Sequence, residues 1–181
     1  MVGLLRFEGV LAAAYFVLLA VLGARWRHSH GAEVAEQAAS SGPPRPQRYA
    51  FLVPCHNEAL VLEGTLDSLM ALPADRTQIL VVDDASTDGT GAIAASYPPD
   101  RVQVLRRELP DARLGKGAAL NAGLRHLREG LEPPADDLVV AVVDGDGHLP
   151  PAAIEAVDRY LADPQVGAVQ LGVRIRNRHR L

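Results

Sequence analysis

In the stretch AVVDGDGHLPP, residues 141–151, an apolar run leads directly into two aspartates, Asp144 and Asp146, one glycine apart. The pattern recurs in QILVVDDASTDGT (78–90), where Asp83 and Asp84 follow another apolar run. Carboxylates this close repel one another, so two acidic strand ends in one small chain call for a cation, a ligand or both. Gly145 and Gly147 let the backbone turn tightly, so Asp144 and Asp146 can share one hard divalent ion. Mg2+ or Mn2+ would suit, because each takes oxygen ligands and keeps positions open for phosphate oxygens. Asp83 or Asp84 could instead accept a hydrogen bond from a base or a sugar, since an ionised carboxylate is an acceptor only. Plainer roles exist for the same residues. The Asp83–Asp84 pair could cap a helix, and Ser86, Thr87 and Asp88 suit caps and turns. His148 suits a solvated loop. Cys55 at a strand end reads as a small packed side chain, not a nucleophile.

The elements that must position these groups alternate from Tyr49 onward. YAFLV (49–53), QILVV (78–82), RVQVL (101–105), LVVAVV (138–143) and VGAVQL (166–171) read as strands. LVVAVV is wholly apolar, as expected of a strand covered on both faces. Asn57 can cap a helix whose Leu62, Leu66 and Leu69 recur at helical spacing. A short helix follows Asp88-Gly89, and another from about Lys116 places Leu120, Leu124 and Leu127 on one stripe. Pro151 suits the first turn of a helix with Ile154, Val157 and Leu161 inward. This alternation predicts an α/β fold, a parallel sheet with flanking helices and right-handed crossovers. Ligands of such sheets sit beyond the carboxyl ends of the strands. Those ends are PCHNE (54–58), DDASTD (83–88) and DGDGH (144–148), so all three polar clusters fall on one edge.

The 181 residues suffice for one domain with a real core. A net charge of −4 with mixed signs gives no indication of a nucleic-acid partner. The single cysteine, Cys55, excludes an intrachain disulfide. Of the 18 basic residues only Lys116 is a lysine. Residues 9–24, GVLAAAYFVLLAVLGA, carry no charge. As a helix they would cover roughly 24 Å, against a hydrocarbon core of about 30 Å. Residues 1–27 are therefore expected to form a single membrane anchor in the cell membrane, with 28–48 as a Pro-rich linker. Arg25, Arg27, Arg45 and Arg48 follow the apolar run and only Arg6 precedes it, which places residues 49–181 on the cytoplasmic side. A cleaved signal peptide and a surface-lying helix are the competing readings.

Several motif families share fragments of this pattern. VVDGDGHL resembles the strand end of haloacid-dehalogenase-type phosphatases, with Asp144 as nucleophile, but His148 stands where Thr or Val is expected. ILVVDDAS resembles a receiver-domain acidic pair, but the only lysine precedes the second acidic strand. DGDGHL lacks the spacing of an EF-hand loop, and LGKGAA is not a P-loop. Four pieces in order, VPCHNEALVLEGTLDSL (53–69), VVDDASTDGT (81–90), GKGAALNAGL (115–124) and VVDGDGHLPP (142–151), together resemble family 2 glycosyltransferases of the GT-A fold. The tail VGAVQLGVRIRNR (166–178) is similar to the membrane-bound branch that makes cellulose-like or poly-N-acetylglucosamine polymers.

That resemblance implies transfer of a sugar from a nucleotide-diphosphate donor, most simply a UDP-sugar, to a saccharide or lipid-linked acceptor with inversion. It implies that Pro54, Asn57 and Glu58 lie beside base and ribose, and that Asp83 or Asp84 holds the uracil or the ribose. Lys116 and Asn121 would help bind the diphosphate or sugar, and Asp144 and Asp146 would hold Mg2+ or Mn2+. Lys116 thereby gains a context, a point charge at a Gly-flanked helix start where an anion is favoured. The family's acidic general base and Q-x-x-R-W segment are absent before Leu181, so the catalytic base is expected beyond it. The chain is thus expected to be the donor-binding part of a longer enzyme, unable to transfer sugar efficiently alone. A non-catalytic nucleotide-sugar-binding fragment is the alternative from a different class.

Overall fold

The computed structural model describes residues 47–130 and 138–173. The expected anchor (1–27) and nearly all of the linker (28–48) lie outside the described residues. Among the described residues, no helix is long and apolar enough to cross a membrane. The chain divides into two compact units, one of residues 45–158 and one to which residues 159–173 contribute the described part.

Among the described residues the larger unit is built on four parallel strands, β1 (Arg48–Cys55), β2 (Thr77–Asp84), β3 (Val102–Arg107) and β4 (Leu138–Val142), in the order β3-β2-β1-β4. The helices are α1 (Leu62–Met70), α2 (Thr90–Ala95), α3 (Lys116–Glu129) and α4 (Ala153–Leu161). The parity of β1 and β2 divides the core. Tyr49, Phe51, Val53, Ile79 and Val81 face one way and pack with Leu62, Leu66 and Leu69 of α1, Ala94 of α2 and Ile154 of α4. Ala50, Leu52, Leu80 and Val82 face the other way and pack with Ala119 and Leu127 of α3. Both central strands are covered on both sides, which is why their sequences are apolar without alternation.

Four sequence expectations need correction. Asn57 does not cap α1. It sits at φ 58°, and the helix begins after Val61 without a side-chain cap. Its first turn instead closes on the Glu58 carbonyl, which accepts the N–H of Val61 and of Leu62. The buried stripe of α3 is Ala119, Gly123 and Leu127, while Leu124 is exposed. The helix lies so close to the sheet that a Cβ on Gly123 would sit 2.8 Å from both Leu52 and Val82, so small residues face inward. Among the described residues β4 is an edge strand with Val140 and Val142 exposed, because α3 covers β1 and β2 but not β4's outer side. Finally, residues 166–171 form no strand. An apolar run becomes a strand only by pairing its backbone groups with a neighbour, and no such ladder joins these residues among the described ones.

Candidate functional site

The chain runs β1 to β2 to β3 in one direction and then jumps back across β1 to β4. Where the order reverses, the loops after β1 and β4 must part, and parallel sheets bind ligands in that opening. A cleft of about 450 Å³ lies there, lined by Pro54, Cys55, His56 and Glu58 after β1 and by Asp144, Gly145 and Asp146 after β4. Asp84, Arg113, Gly115, Lys116 and Ala119 complete its wall.

Strand parity decides which of two adjacent acids reaches the cleft. Even-numbered residues of β1 and β2 face α3, and Pro54 and Asp84 continue that side. The even-odd phase of β4 is the same, since Val139, Ala141 and Val143 pack on the α1 side. Asp144 therefore emerges toward α3, where Lys116 Nζ contacts its Oδ1. Asp83 faces the opposite way. It is fully buried, accepts the N–H of Ser86 at 2.9 Å and pairs with Arg106. A Cβ at Gly91 would lie 2.8 Å from its Oδ2, so only glycine fits beside it.

The acidic pair that ends β2 is thus neutralised by an arginine pair that ends β3. The register sets Asp83 against Arg106 and Asp84 against Arg107, with Arg107 2.5 Å from Asp84 Oδ1. Sequence reasoning missed both arginines. Their signal was two consecutive arginines ending the next strand, in step with two consecutive aspartates.

The loops after β1 and β2 are laced together through main-chain amides. The N–H groups of Asn57, Glu58 and Ala59 donate in turn to Ser86 Oγ (3.0 Å), Thr90 Oγ1 (2.8 Å) and Asp88 Oδ2 (3.1 Å). Asn57 Oδ1 accepts the N–H of Thr87 at 2.8 Å. Thr90 hydrogen bonds, chiefly from its hydroxyl, hold the Asp88 carboxyl below its ordinary pKa. Ser86, Thr87 and Asp88 are therefore structural here. His56 Nδ1 lies 2.9 Å from the carbonyl of Asp84, which can only accept, so Nδ1 carries a proton. Burial first, then the nearby Glu58, Asp83 and Asp88 charges, push the Cys55 thiol up to about 12. It is a packed side chain and a poor nucleophile.

Of the residues singled out from sequence, Pro54, Glu58, Asp84, Lys116, Asp144 and Asp146 line one cleft. Asn57, which is exposed, and Asp83, which is buried, are not part of its wall, and Asn121 is exposed on α3 away from the lining. His148, also exposed, is likewise not part of the wall. Asp144 and Asp146 offer oxygen donors only, which suits Mg2+ or Mn2+. Among the described residues no three or more His, Cys, Asp or Glu side chains cluster as a metal cage. Such an ion would have to draw its remaining ligands from a bound phosphate and water, which is how Mg2+ is commonly held.

Comparison with known proteins shows the family. The family model described as glycosyl transferase family 2 matches residues 50–181. The chain is 29% identical over 128 residues to the poly-beta-1,6-N-acetyl-D-glucosamine synthase of Staphylococcus aureus, covering 71% of this chain and 29% of that protein. It is 38% identical over 80 residues to the probable glycosyltransferase YdaM of Bacillus subtilis, covering 42% of this chain and 19% of that one. The chain thus spans less than a third of the length of either relative. Among solved structures it resembles the mannosyltransferase PcManGT of Pyrobaculum calidifontis in complex with GDP-Man and Mn2+. There the TM-score is 0.58 and the identity 32%, over 77% of this chain and 41% of the other.

Proposed function

The chain belongs to glycosyl transferase family 2, and from that premise we propose that its cleft binds the donor of a sugar transfer, a nucleoside diphosphate sugar with a divalent ion. The observation that carries this reading is the convergence of Asp84, Lys116, Asp144 and Asp146 on one opening at the switch point of the sheet. Each has a task set by its chemistry. Asp84 accepts an N–H from the base, with Pro54 and Glu58 beside base and ribose. Lys116, at the start of a 14-residue helix, adds its charge to the amide dipoles there and holds the diphosphate. Asp144 and Asp146 would hold Mg2+ or Mn2+, which as a Lewis acid would stabilise the departing nucleoside diphosphate. Asp83 and Asn57 act through their neighbours, one by fixing the loop after β2 and the other by tying it to β1. No acceptor-side base is proposed among the cleft residues, since each carboxylate there has a donor-side task.

A uracil base is the donor base we propose, with inversion at the anomeric carbon and a saccharide or lipid-linked acceptor. The similarity to poly-beta-1,6-N-acetyl-D-glucosamine synthase supports polysaccharide synthesis. Residues 9–24 are proposed as a membrane anchor that leaves 49–181 on the cytoplasmic side of the cell membrane. A thermal-shift panel of UDP, UDP-N-acetylglucosamine, UDP-glucose and GDP-mannose, each with Mn2+, tests the donor assignment. A ligand at about a hundred times its Kd adds about 2.7 kcal/mol to stability. Uridine ligands should raise Tm and GDP-mannose should not. Stabilisation by GDP-mannose alone would reassign the base, and none by any ligand would refute the reading.

A further inference from the structure

The loop from Asp144 to Leu149 owes its shape to α1, a helix that contributes nothing to the cleft wall. The inward face of α1 is apolar at Leu62, Leu66 and Leu69 but carries two buried hydroxyls, Thr65 and Ser68, one turn apart. Both residue types are mediocre helix formers. Their partners explain them. Thr65 Oγ1 donates to the carbonyl of Gly145, between the two aspartates, at 2.7 Å. Ser68 Oγ donates to the Thr65 carbonyl at 2.8 Å and accepts the N–H of Leu149 at 3.3 Å. The α-carbon of Gly145 is boxed in as well, since an added Cβ would stand 3.0 Å from Glu58 Cγ and 3.4 Å from Cys55 Sγ. A tight turn, Gly147 N–H to the Asp144 carbonyl at 2.8 Å, closes the loop.

The direction of the Thr65 bond matters. A carbonyl oxygen of Gly145 turned toward the two carboxylates would add a third negative group to them. Held toward α1, it leaves the side chains of Asp144 and Asp146 on the cleft side, where Asp144 meets Lys116, with the next peptide N–H pointing the opposite way across a planar trans unit. A buried carbonyl without its donor would recover a partner only by rotating the peptide, and the two carboxylates would move with it.

We infer that Thr65 and Ser68 are positioning residues, which fix the acidic loop so that Asp144 and Asp146 together meet a divalent ion and a diphosphate. This inference rests on the proposed donor site. The full 181-residue chain is compared with Thr65→Val, Thr65→Ser and Ser68→Ala by hydrogen exchange over residues 143–149 without ligand. Calorimetric titration of UDP with Mn2+ follows on each. Thr65→Val keeps the shape and removes the donor, so exchange at Gly147 and Leu149 should quicken and Mn2+-dependent UDP affinity fall about tenfold. Thr65→Ser keeps the donor and should stay within about twofold of the parent. Ser68→Ala should quicken exchange at Leu149 even if Thr65→Val fails to fold. Unchanged exchange and affinity in Thr65→Val and Ser68→Ala would overturn the inference, as would equal losses in Thr65→Val and Thr65→Ser. Faster exchange with undiminished affinity would leave the hydroxyls purely structural and overturn the positioning role. If exchange responds but the parent chain ignores UDP with Mn2+, the donor reading itself has failed, and the positioning role with it.

Discussion

Removing the guanidinium of Arg106 should destabilise the fold without touching donor binding. Asp83 is fully buried, and its charge is met by Arg106 and by one main-chain N–H, that of Ser86. Deleting one partner of a fully buried ion pair costs about 3–5 kcal/mol, whereas exposed pairs are worth about 0.2–1 kcal/mol. The Arg106 side chain is 49% exposed, so water solvates part of the pair and Arg106→Leu falls between these limits, at about 2–3 kcal/mol. In a chain of this size that lowers Tm by about 4–12 °C. Thermal unfolding at pH 7, followed by circular dichroism, measures it. Asp83→Asn removes the charge that Arg106 answers, so the double variant should lose clearly less than the sum of the two single changes. UDP affinity, by contrast, should respond to Asp84→Asn and hardly at all to Asp83→Asn. A Tm for Arg106→Leu within about 1 °C of the parent, or strict additivity in the double variant, would refute the assignment of Asp83 as a structural charge.

Other expectations follow from the same geometry. Ala85 holds φ 57°, a left-handed conformation that disfavours a Cβ by about 1–2 kcal/mol. Ala85→Gly should therefore raise stability by about 0.5–1 kcal/mol once the greater freedom of glycine in the unfolded chain is set against the relief. Chemical denaturation would read this, and a loss would contradict it. Because the Cys55 thiol is pushed up to about 12, it stays protonated through pH 8 in the folded chain. Iodoacetamide should label it only after unfolding, and the stabilising effect of its protonation should fade as pH rises from the ordinary thiol range toward 12. At the opposite end of β1, Tyr49 donates to Asp158 at 2.8 Å while Arg76 approaches the same carboxylate at 2.6 Å. Tyr49→Phe should lower stability by about 1 kcal/mol with UDP affinity unchanged, and a drop in affinity would show that the two ends of the strand are coupled.

Much of this site could be read from the sequence because strand ends announce themselves. An apolar run that stops at Asp83 or Asp144 marks both the strand and the edge on which its polar residues gather, and the parallel alternation puts those edges together. Parity between Asp83 and Asp84 was equally visible, but knowing which parity faces the cleft required α3 to be placed on the sheet. The paired arginines Arg106 and Arg107 are visible in the sequence, but setting them against Asp83 and Asp84 requires the register of β2 on β3. The leucine period of α3 marks its core face only in part, with Leu127 buried and Leu120 packed against the core. The short distance between helix and sheet instead selects Ala119 and Gly123, with Leu124 left outside. Asn57 has the residue type of a cap, yet its side chain ties the loop after β2, a contact thirty residues away in sequence.

The measurement closest to the central claim is calorimetric titration of UDP into the 181-residue chain with Mn2+, repeated after EDTA, beside the Asp144→Ala, Asp146→Ala double variant. The expected result is saturable UDP binding that requires Mn2+ and disappears in the variant. That would answer why two strands end in paired aspartates: after β2 one acid is structural and one reads the ligand, and after β4 both hold an ion. Binding that persists through EDTA and in the variant, or no binding by a chain shown to be folded, would contradict it.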